Sequence, residues 1–507
     1  MKLLSLSLVA HDANAALFDG ARVRYVKFER PRQQKRFRFG SPSEWRRAVT
    51  EIFEIDVADC DDISITFDPA ALPAHVAPLL FDAATRLRVG QSVAEALDPR
   101  VCAALQMRSA WWLSHHYCHA LSGWMIEAAP PDVAIVVDGV GDGRAWSVCR
   151  GETLQAWGDI RDGSIGWGMR EAGKALGLKA GHFNDLAGKV MGIAAYGHVD
   201  PAYLDPLRGL PSARLDQLWS LEAWQRWRGD ALVGNLSLLD WVATAHQRSG
   251  EWLLELFETH ARHDERIAYS GGVAQNVVWN ALLRERFPGL TVAPHCSDEG
   301  LSLGGLEWLR RRHGLPLLLM PDFPFAQTGG AVPAPAEETI ELAAQWLAEC
   351  RVIGWYQGAG EVGPRALGHR SILMDPRRAD GRARIDQVKR REAFRPYGAS
   401  VLEEDFDRYF AGAADGFMLY SCRVTDPALT AIRHVDGSCR VQRVGRECQP
   451  LRALLEGFRA RTGCAVLLNT SLNVAGKPLA GWPDDARRIF SDTPIDAMFI
   501  GDQVTRR

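Results

Sequence analysis

Residues 133–143 read VAIVVDGVGDG: five apolar side chains in a row, an aspartate, then three glycines separated by single residues. An unbroken apolar run closed by Gly and Asp predicts a buried strand entering a tight glycine turn. Two further segments follow the same plan, RIAYSGGVAQN at 266–276 and RVIGWYQGAG at 351–360, with helical patterning before or after each. Strands alternating with helices predict an α/β protein. Asp138 would then stand at the end of its strand, the edge where open α/β sheets meet their ligands.

The 507-residue length predicts two or more domains. With 59 basic against 62 acidic side chains and a net charge of −3, the chain has no polyelectrolyte character and nucleic acid is not its expected partner. MKLLSLSLVAHDANAAL imitates a secretory signal, but its apolar run is closed by His11 and Asp12. Its near alternation continues to a DG turn at Asp19–Gly20, which predicts a β-hairpin instead. No stretch approaches the ~20 apolar residues of a membrane helix. The ten cysteines never form CxxC, so a reducing cytoplasm is expected. Five of the 26 prolines fall between Pro316 and Pro335, marking a linker. The expected division is therefore 1–330 and 331–507.

Within the first region, SHHYCHALSGW (114–124) sets His115 and His119 four residues apart, on one face of a helix. That spacing suits two ligands on one metal, and equally a hydrogen-bonded pair or a polar face. Asp138 and Asp298, the latter in CSDEGLSLGGL, would complete a set of two imidazoles and two carboxylates suited to Fe(II), Mn(II) or Zn(II). Asp298 reads as well as a helix cap. Cys118 points off another face and reads as packing; His116 has no assignment. The loops DGVGDG and SGGVAQN fit either a phosphate cradle or a tight turn. His11, after the first strand, is a candidate general base or a turn residue.

In the second region, residues 365–395 hold ten Lys or Arg against four Asp or Glu. Such a segment needs an anion. Arg365, Arg370, Lys389, Arg391 and Arg395 are the phosphate candidates, while Arg377, Arg378, Arg382 and Arg384 read as solvated surface. The aromatics that single-stranded nucleic acid favours are sparse there, so a nucleotide or small phosphate fits better. VLLNTSLNVAGKPL places Asn469, Thr470, Ser471 and Asn473 in an extended segment, either a polar ligand site or a capped turn.

Taken in order, HHYCHALSGW, VVDGVGDG, GKVMGIAAYG, SGGVAQN, SDEGLSLGG, GEVGPRALGHRSIL, KRREAFRPYGASVL, HVDGSCRVQRV and LLNTSLNVAGKPL resemble the NodU/CmcH family of carbamoyltransferases over nearly the whole chain. The resemblance implies a duplicated α/β domain of the actin/Hsp70/sugar-kinase clan followed by a YrdC-like α/β domain. It implies that the second domain makes carbamoyl-adenylate from carbamoyl phosphate and Mg-ATP, and that the first transfers the carbamoyl group to a hydroxyl of a small secondary or antibiotic metabolite. By the same resemblance, Arg365, Arg370 and Lys389 act catalytically, and Arg391, Arg395, Ser471 and Asn473 bind phosphate. His115, His119, Asp138 and Asp298 would hold Fe(II), with Mn or Zn as alternatives. Gly271, Gly272 and Asn276 match a nucleotide loop, and His11 with Asp12 matches an HD motif placing a base at the acceptor. A small-molecule acceptor is the expected partner of a cytoplasmic monomer or homodimer, without nucleic acid or membrane.

The chain departs from the family at GSIGWGMREAGKALGLKAGHFNDLAGKVMGIAAYG, which lacks SLGxxY and whose His182, Asn184 and Asp185 have no counterpart; HDAN replaces HDAS. These positions lie where an acceptor would touch the protein. Two other classes compete, a small-molecule kinase of the same clan and a non-catalytic nucleotide- or RNA-binding protein. The HxxxH pair and the GPRALGHRSIL region argue against the kinase.

Overall fold

The computed structural model describes residues 1–9, 11–67, 93–126, 129–209, 218–228, 236–317, 320 and 322–507; residues 318, 319 and 321 of the expected linker lie outside them. The chain is mixed α/β, with three sheets among these residues. The first contains β1 (Leu3–Leu8), β2 (Asn14–Phe18), β3 (Val23–Lys27), β4 (Asp62–Phe67), β5 (Ala94–Ala96) and β6 (Trp111–Leu113), in the order β3-β2-β1-β4-β6-β5. β1 to β3 are an antiparallel meander turning at Asp19–Gly20, and β4 and then β6 add in parallel on the other side of β1.

The second sheet repeats this plan. β7 (Val133–Gly141), β8 (Arg144–Arg150) and β9 (Thr153–Asp159) form the meander, and β10 (Ile267–Ser270) and β11 (Leu290–Val292) add in parallel beyond β7. One topology used twice is the duplication that the resemblance implies, and no short sequence repeat announces it. The strand predicted from VAIVVDGVGDG is β7, central to its sheet and buried through Asp138.

Two helices join the halves. α1 (His115–Ser122) follows β6, and across it runs a second helix, Leu301–Arg312, that also covers β1. The crossing is close because of glycine: a Cβ on Gly304 would lie 1.9 Å from the Cys118 carbonyl oxygen. That oxygen belongs to a buried helix and cannot give way. Gly304→Ala is therefore expected to destabilise the protein by roughly 1–3 kcal/mol, the usual cost of overpacking, read as a shift of the chemical denaturation midpoint.

The third sheet has nine strands. Its centre is β14 (Gly398–Leu402), β18 (Val466–Ser471), β13 (Arg370–Met374) and β12 (Ile353–Tyr356), flanked on one side by β17 (Ser438–Val444). Burial of nearly every residue on the central strands accounts for their unbroken apolar runs. The Pro- and Gly-rich segment is not a free tether: Thr328 N donates to Tyr25 O at 2.6 Å and Gln327 N to Gly360 O at 3.0 Å, stitching β3 to the third-sheet region. Among the described residues no helix is long and apolar enough to cross a membrane.

Candidate metal centre and phosphate site

α1 presents His115 and His119 one turn apart, with their Nε2 atoms 3.1 Å from each other. His115 Nε2 lies 3.1 Å from Asp138 Oδ2 and 3.6 Å from Asp298 Oδ1; His119 Nε2 lies 3.8 Å and 3.4 Å from the same atoms. All four side chains are buried, with one donor atom of each within 4.8 Å of the others. Two ring nitrogens at hydrogen-bond distance, faced by two carboxylates, converge on one point, and His119 Nδ1 is buried without a partner. This donor set fits a divalent ion of borderline hardness. Burial lowers the His115 pKa, but Asp298 and the Asp138 hydrogen bond outweigh it and raise it to about 9. The field at this point favours a cation.

The Asp298 cap reading is not what the fold uses. Asp298 opens a short turn with no side-chain cap bond, and its carboxylate faces the imidazoles. It is α1 that DGVGDG caps: Asp142 Oδ2 accepts from Ser114 Oγ at 2.8 Å and from His115 N at 2.5 Å. Gly271 and Gly272 are likewise committed to the scaffold. Gly271 N donates to Cys296 O, and Gly272 N donates to Asp138 Oδ1 at 2.9 Å, which fixes that carboxylate. Asn276 caps the next helix, accepting from Val278 N and Trp279 N, and its amide contacts His246 Nε2 at 3.0 Å. The resemblance matches these three to a nucleotide loop; the hydrogen bonds named here go to the protein.

His11 adjoins the candidate metal cluster. Its Nδ1 lies 2.9 Å from Asp12 Oδ2 and 3.4 Å from Asp298 Oδ2, and its Nε2 meets Asn184 Nδ2 at 2.8 Å. Asp12 is wholly buried and held by Lys27 Nζ at 2.9 Å and Arg36 Nη1 at 2.5 Å. It therefore orients His11 rather than meeting a substrate. Lys27 also reaches Glu29 at 3.2 Å and Glu299 at 3.5 Å, tying the HD motif to SDEG, a link that sequence reasoning missed. Burial lowers the His11 pKa, yet Asp298 and Asp12 raise it above its ordinary value.

The second cluster gathers on the third sheet. Lys389 Nζ lies 3.0 Å from Ser471 Oγ, 2.8 Å from Asn473 O and 2.5 Å from Asn473 Oδ1. Burial, then Arg391, Arg395 and Lys35, pull the Lys389 pKa well down. Arg391 stacks on Tyr397 at 4.0 Å. Arg365 reaches toward the first region, to Gln275 O at 3.4 Å, and its Nε is buried without a partner. Arg440 on β17, which sequence reasoning also missed, has a buried unpartnered Nε; burial and then Arg365, Arg391 and Arg395 depress its pKa. Among the described residues no carboxylate makes a salt bridge to Arg365, Lys389 or Arg440. Buried like charges without an acidic partner suit an anion.

The structure does not bring Arg370 into this cluster. Its guanidinium donates to the carbonyls of Gln357, His369, Gly330 and Gly358 and lies 3.6 Å from the Tyr356 ring centroid. It is a brace between β12, β13 and the linker. Arg370→Ala is accordingly expected to lower thermal stability, leaving carbonyls unsatisfied at about 1–3 kcal/mol, rather than to act selectively on phosphate.

The carbamoyltransferase N-terminus family model matches residues 86–306 and the carbamoyltransferase C-terminus model matches residues 344–507. Nodulation protein NolO of Bradyrhizobium diazoefficiens is 31% identical over 447 residues, covering 78% of this chain and 79% of its own. The chain belongs to the NodU/CmcH carbamoyltransferase family. The 3'-hydroxymethylcephem-O-carbamoyltransferase of Amycolatopsis lactamdurans is 35% identical over 269 residues, half of this chain and 52% of that enzyme. An uncharacterized protein of Synechocystis, sll1178, is 27% identical and aligns with 98% of this chain and 95% of its own.

In this carbamoyltransferase the unassigned His116 is structural, bonded to Ser147 Oγ at 2.9 Å and Arg144 O at 3.2 Å. His246 is similar, stacked on Trp279 at 4.7 Å, and burial pulls its pKa from 6.5 down to about 4. Its neutral form thus stabilises the fold above pH 6.5, and that contribution is lost as pH falls from 6.5 toward 4. At about 1.4 kcal/mol per pKa unit it is worth at most about 3–4 kcal/mol. The melting temperature of the carbamoyltransferase should fall across this window, and less steeply in His246→Gln.

Proposed function

We propose that the carbamoyltransferase activates carbamoyl phosphate with Mg-ATP at the Lys389 cluster and transfers the carbamoyl group to a hydroxyl of a small metabolite beside His11. The observation that carries this reading is the cationic cluster in which, among the described residues, Arg365, Lys389 and Arg440 make no salt bridge to a carboxylate. Its charges and the Ser471 and Asn473 side chains suit a group of phosphates, and Lys389 and the arginines would align them. Water displaces phosphate from carbamoyl phosphate to leave carbamate, a carbamate oxygen attacks the α-phosphorus of ATP, and pyrophosphate leaves with carbamoyl-adenylate formed. The division falls at residue 330, between an actin-like transfer region and a YrdC-like activating region.

In the second step the acceptor oxygen attacks the carbamoyl carbon, His11 Nε2 takes the hydroxyl proton and AMP leaves. Asp12, accepting from Nδ1, keeps the base tautomer and steadies the protonated ring. His115, His119, Asp138 and Asp298 would hold a divalent ion. Fe(II), or Mn(II) or Zn(II), would supply Lewis acidity toward the carbamoyl carbonyl or phosphate oxygen. The cephem O-carbamoyltransferase relative supports a hydroxyl acceptor in secondary metabolism. Ten free thiols support a cytoplasmic setting, where we expect a monomer or homodimer.

Product analysis tests this. ATP and carbamoyl phosphate together should give AMP, phosphate and pyrophosphate, with AMP release rising on addition of an acceptor alcohol. ADP as the nucleotide product would turn the reading to a kinase.

A further inference from the structure

The segment without family counterpart reaches the proposed base through an amide. Asn184 stands at the N-cap of the helix Asp185–Ala194, a place that suits its residue type because the side-chain oxygen accepts from the first N–H groups of the helix. Here that bond is not made. The side chain is turned away from its own helix instead: Oδ1 lies 3.0 Å from Arg170 Nη1, and Nδ2 lies 2.8 Å from His11 Nε2. The Asn184 backbone is held as well, its N donating to His182 Nδ1 at 3.3 Å.

Arg170 is fixed in place to hold that amide. Ser164 caps the helix Ile165–Ala175 and donates to Gly139 O at 2.8 Å, which pins the helix start to the Asp138 loop. On this helix the Arg170 guanidinium is clamped between two rings, 3.8 Å from the Trp167 centroid and 4.5 Å from that of Phe183, and the residue is only 8% exposed. Among the described residues no carboxylate makes a salt bridge to it, and the Asn184 oxygen accepts from it. A guanidinium has donors and no acceptor, so the amide atom facing it is Oδ1 and the group facing His11 is the NH2. Toward Nε2 the amide can only donate. Across the ring, Nδ1 faces Asp12 Oδ2 at 2.9 Å and Asp298 Oδ2 at 3.4 Å, both acceptors. A donor at one nitrogen and acceptors at the other select one form of the neutral ring, with the proton on Nδ1 and the lone pair on Nε2.

We infer that Arg170 and Asn184 are positioning residues for the transfer step, which set His11 as the Nδ1–H tautomer and hold its Nε2 lone pair where the acceptor hydroxyl arrives. The inference rests on the proposed role of His11 as the base. Arg170 acts through the amide, and the amide acts through its hydrogen bond to the reacting nitrogen. Asp12 holds one nitrogen and Asn184 the other, so a flip of the ring breaks both bonds. The arriving hydroxyl displaces the Asn184 NH2 and takes over as donor to Nε2. As its oxygen attacks the carbamoyl carbon, the O–H bond breaks and the proton passes to Nε2. The amide stands in for the hydroxyl until then, and the ring needs no reorientation when the acceptor binds.

Nitrogen NMR on protein carrying isotope-labelled histidine and loaded with zinc reads the ring without turnover, with His11→Gln assigning its signals. The wild-type ring should show a pyrrole-type Nδ1 and a pyridine-type Nε2. Asn184→Asp, of nearly the same size, offers Nε2 only acceptors and should make Nε2 pyrrole-type. Arg170→Met frees the amide to flip and should give signals of both tautomers, and Arg170→Lys, which keeps a donor, should restore the wild-type pattern. The signals of His369, whose nitrogens meet Ala359 O and Gln449 O in the third-sheet region, should stay in place throughout. A wild-type ring protonated at Nε2, or a pattern left unchanged by Asn184→Asp or by Arg170→Met, overturns the inference. AMP release with glycerol as the probe alcohol reads transfer separately, and Asn184→Asp should lower it at least about tenfold, on the low side of what a positioned general base supplies. Undiminished release in His11→Gln removes the base reading even where the tautomer is as inferred, whereas loss in His11→Gln with an unchanged pattern in the variants removes only the positioning.

Discussion

Lys389→Met is expected to reduce carbamoyl-phosphate-dependent exchange of labelled pyrophosphate into ATP by at least about 100-fold. Methionine keeps the length and bulk of the side chain while removing its charge and its donors to Ser471 and Asn473. The amine sits among Arg391, Arg395 and Lys35 in a buried setting that holds its pKa well down. Arriving phosphates reverse that balance, because their negative oxygens stabilise the ammonium form that the protein alone disfavours. Loss of one preorganised donor at such a centre costs roughly 100- to 1,000-fold in rate, about 2.7–4 kcal/mol. A melting temperature near that of the wild type would tie the loss to chemistry. Retained exchange with an unchanged KM for carbamoyl phosphate would remove Lys389 from the activating step.

The second large effect belongs to the other cluster. His119→Ala should abolish acceptor carbamoylation and leave pyrophosphate exchange within a few-fold of wild type. His119 is wholly buried on α1, far along the chain from Lys389, and its Nε2 faces both carboxylates. Loss of an outer-shell partner of a metal ligand typically costs roughly 10- to 100-fold, which sets a lower bound for loss of a ligand. Metal analysis gives a readout besides activity: purified His119→Ala and the isosteric Asp138→Asn should carry less divalent metal per chain than the wild type. Equal loss of both half-reactions would instead give His119 a structural part.

The local features of this fold were legible because they are written in short windows. VAIVVDGVGDG is β7 and its turn, and the four-residue spacing of His115 and His119 is a helix face. The duplicated topology was not legible, since equivalent strands such as β1 and β7 lie 130 residues apart and share only their pairing order. Asp298 was ambiguous for a related reason. A cap and a ligand have the same sequence surroundings, and only the approach of α1 sets the carboxylate against the imidazoles. Arg370 and Arg440 show the limit of composition. A guanidinium bonded to four carbonyls looks like any other in a basic segment, and a lone Arg on β17 drew no notice outside it. The signal was available, because an arginine amid the apolar alternation of a strand needs an acid, an anion or a set of carbonyls to receive it. Lys27 offered the same clue on β3, where its partners are the acids Asp12, Glu29 and Glu299.

The measurement closest to the central claim is pyrophosphate exchange on the purified wild-type protein with no acceptor present. Labelled pyrophosphate should enter ATP when carbamoyl phosphate is supplied and should fail to do so when it is withheld. Exchange that proceeds without carbamoyl phosphate, or no exchange in preparations that carbamoylate an acceptor, would contradict activation through carbamoyl-adenylate.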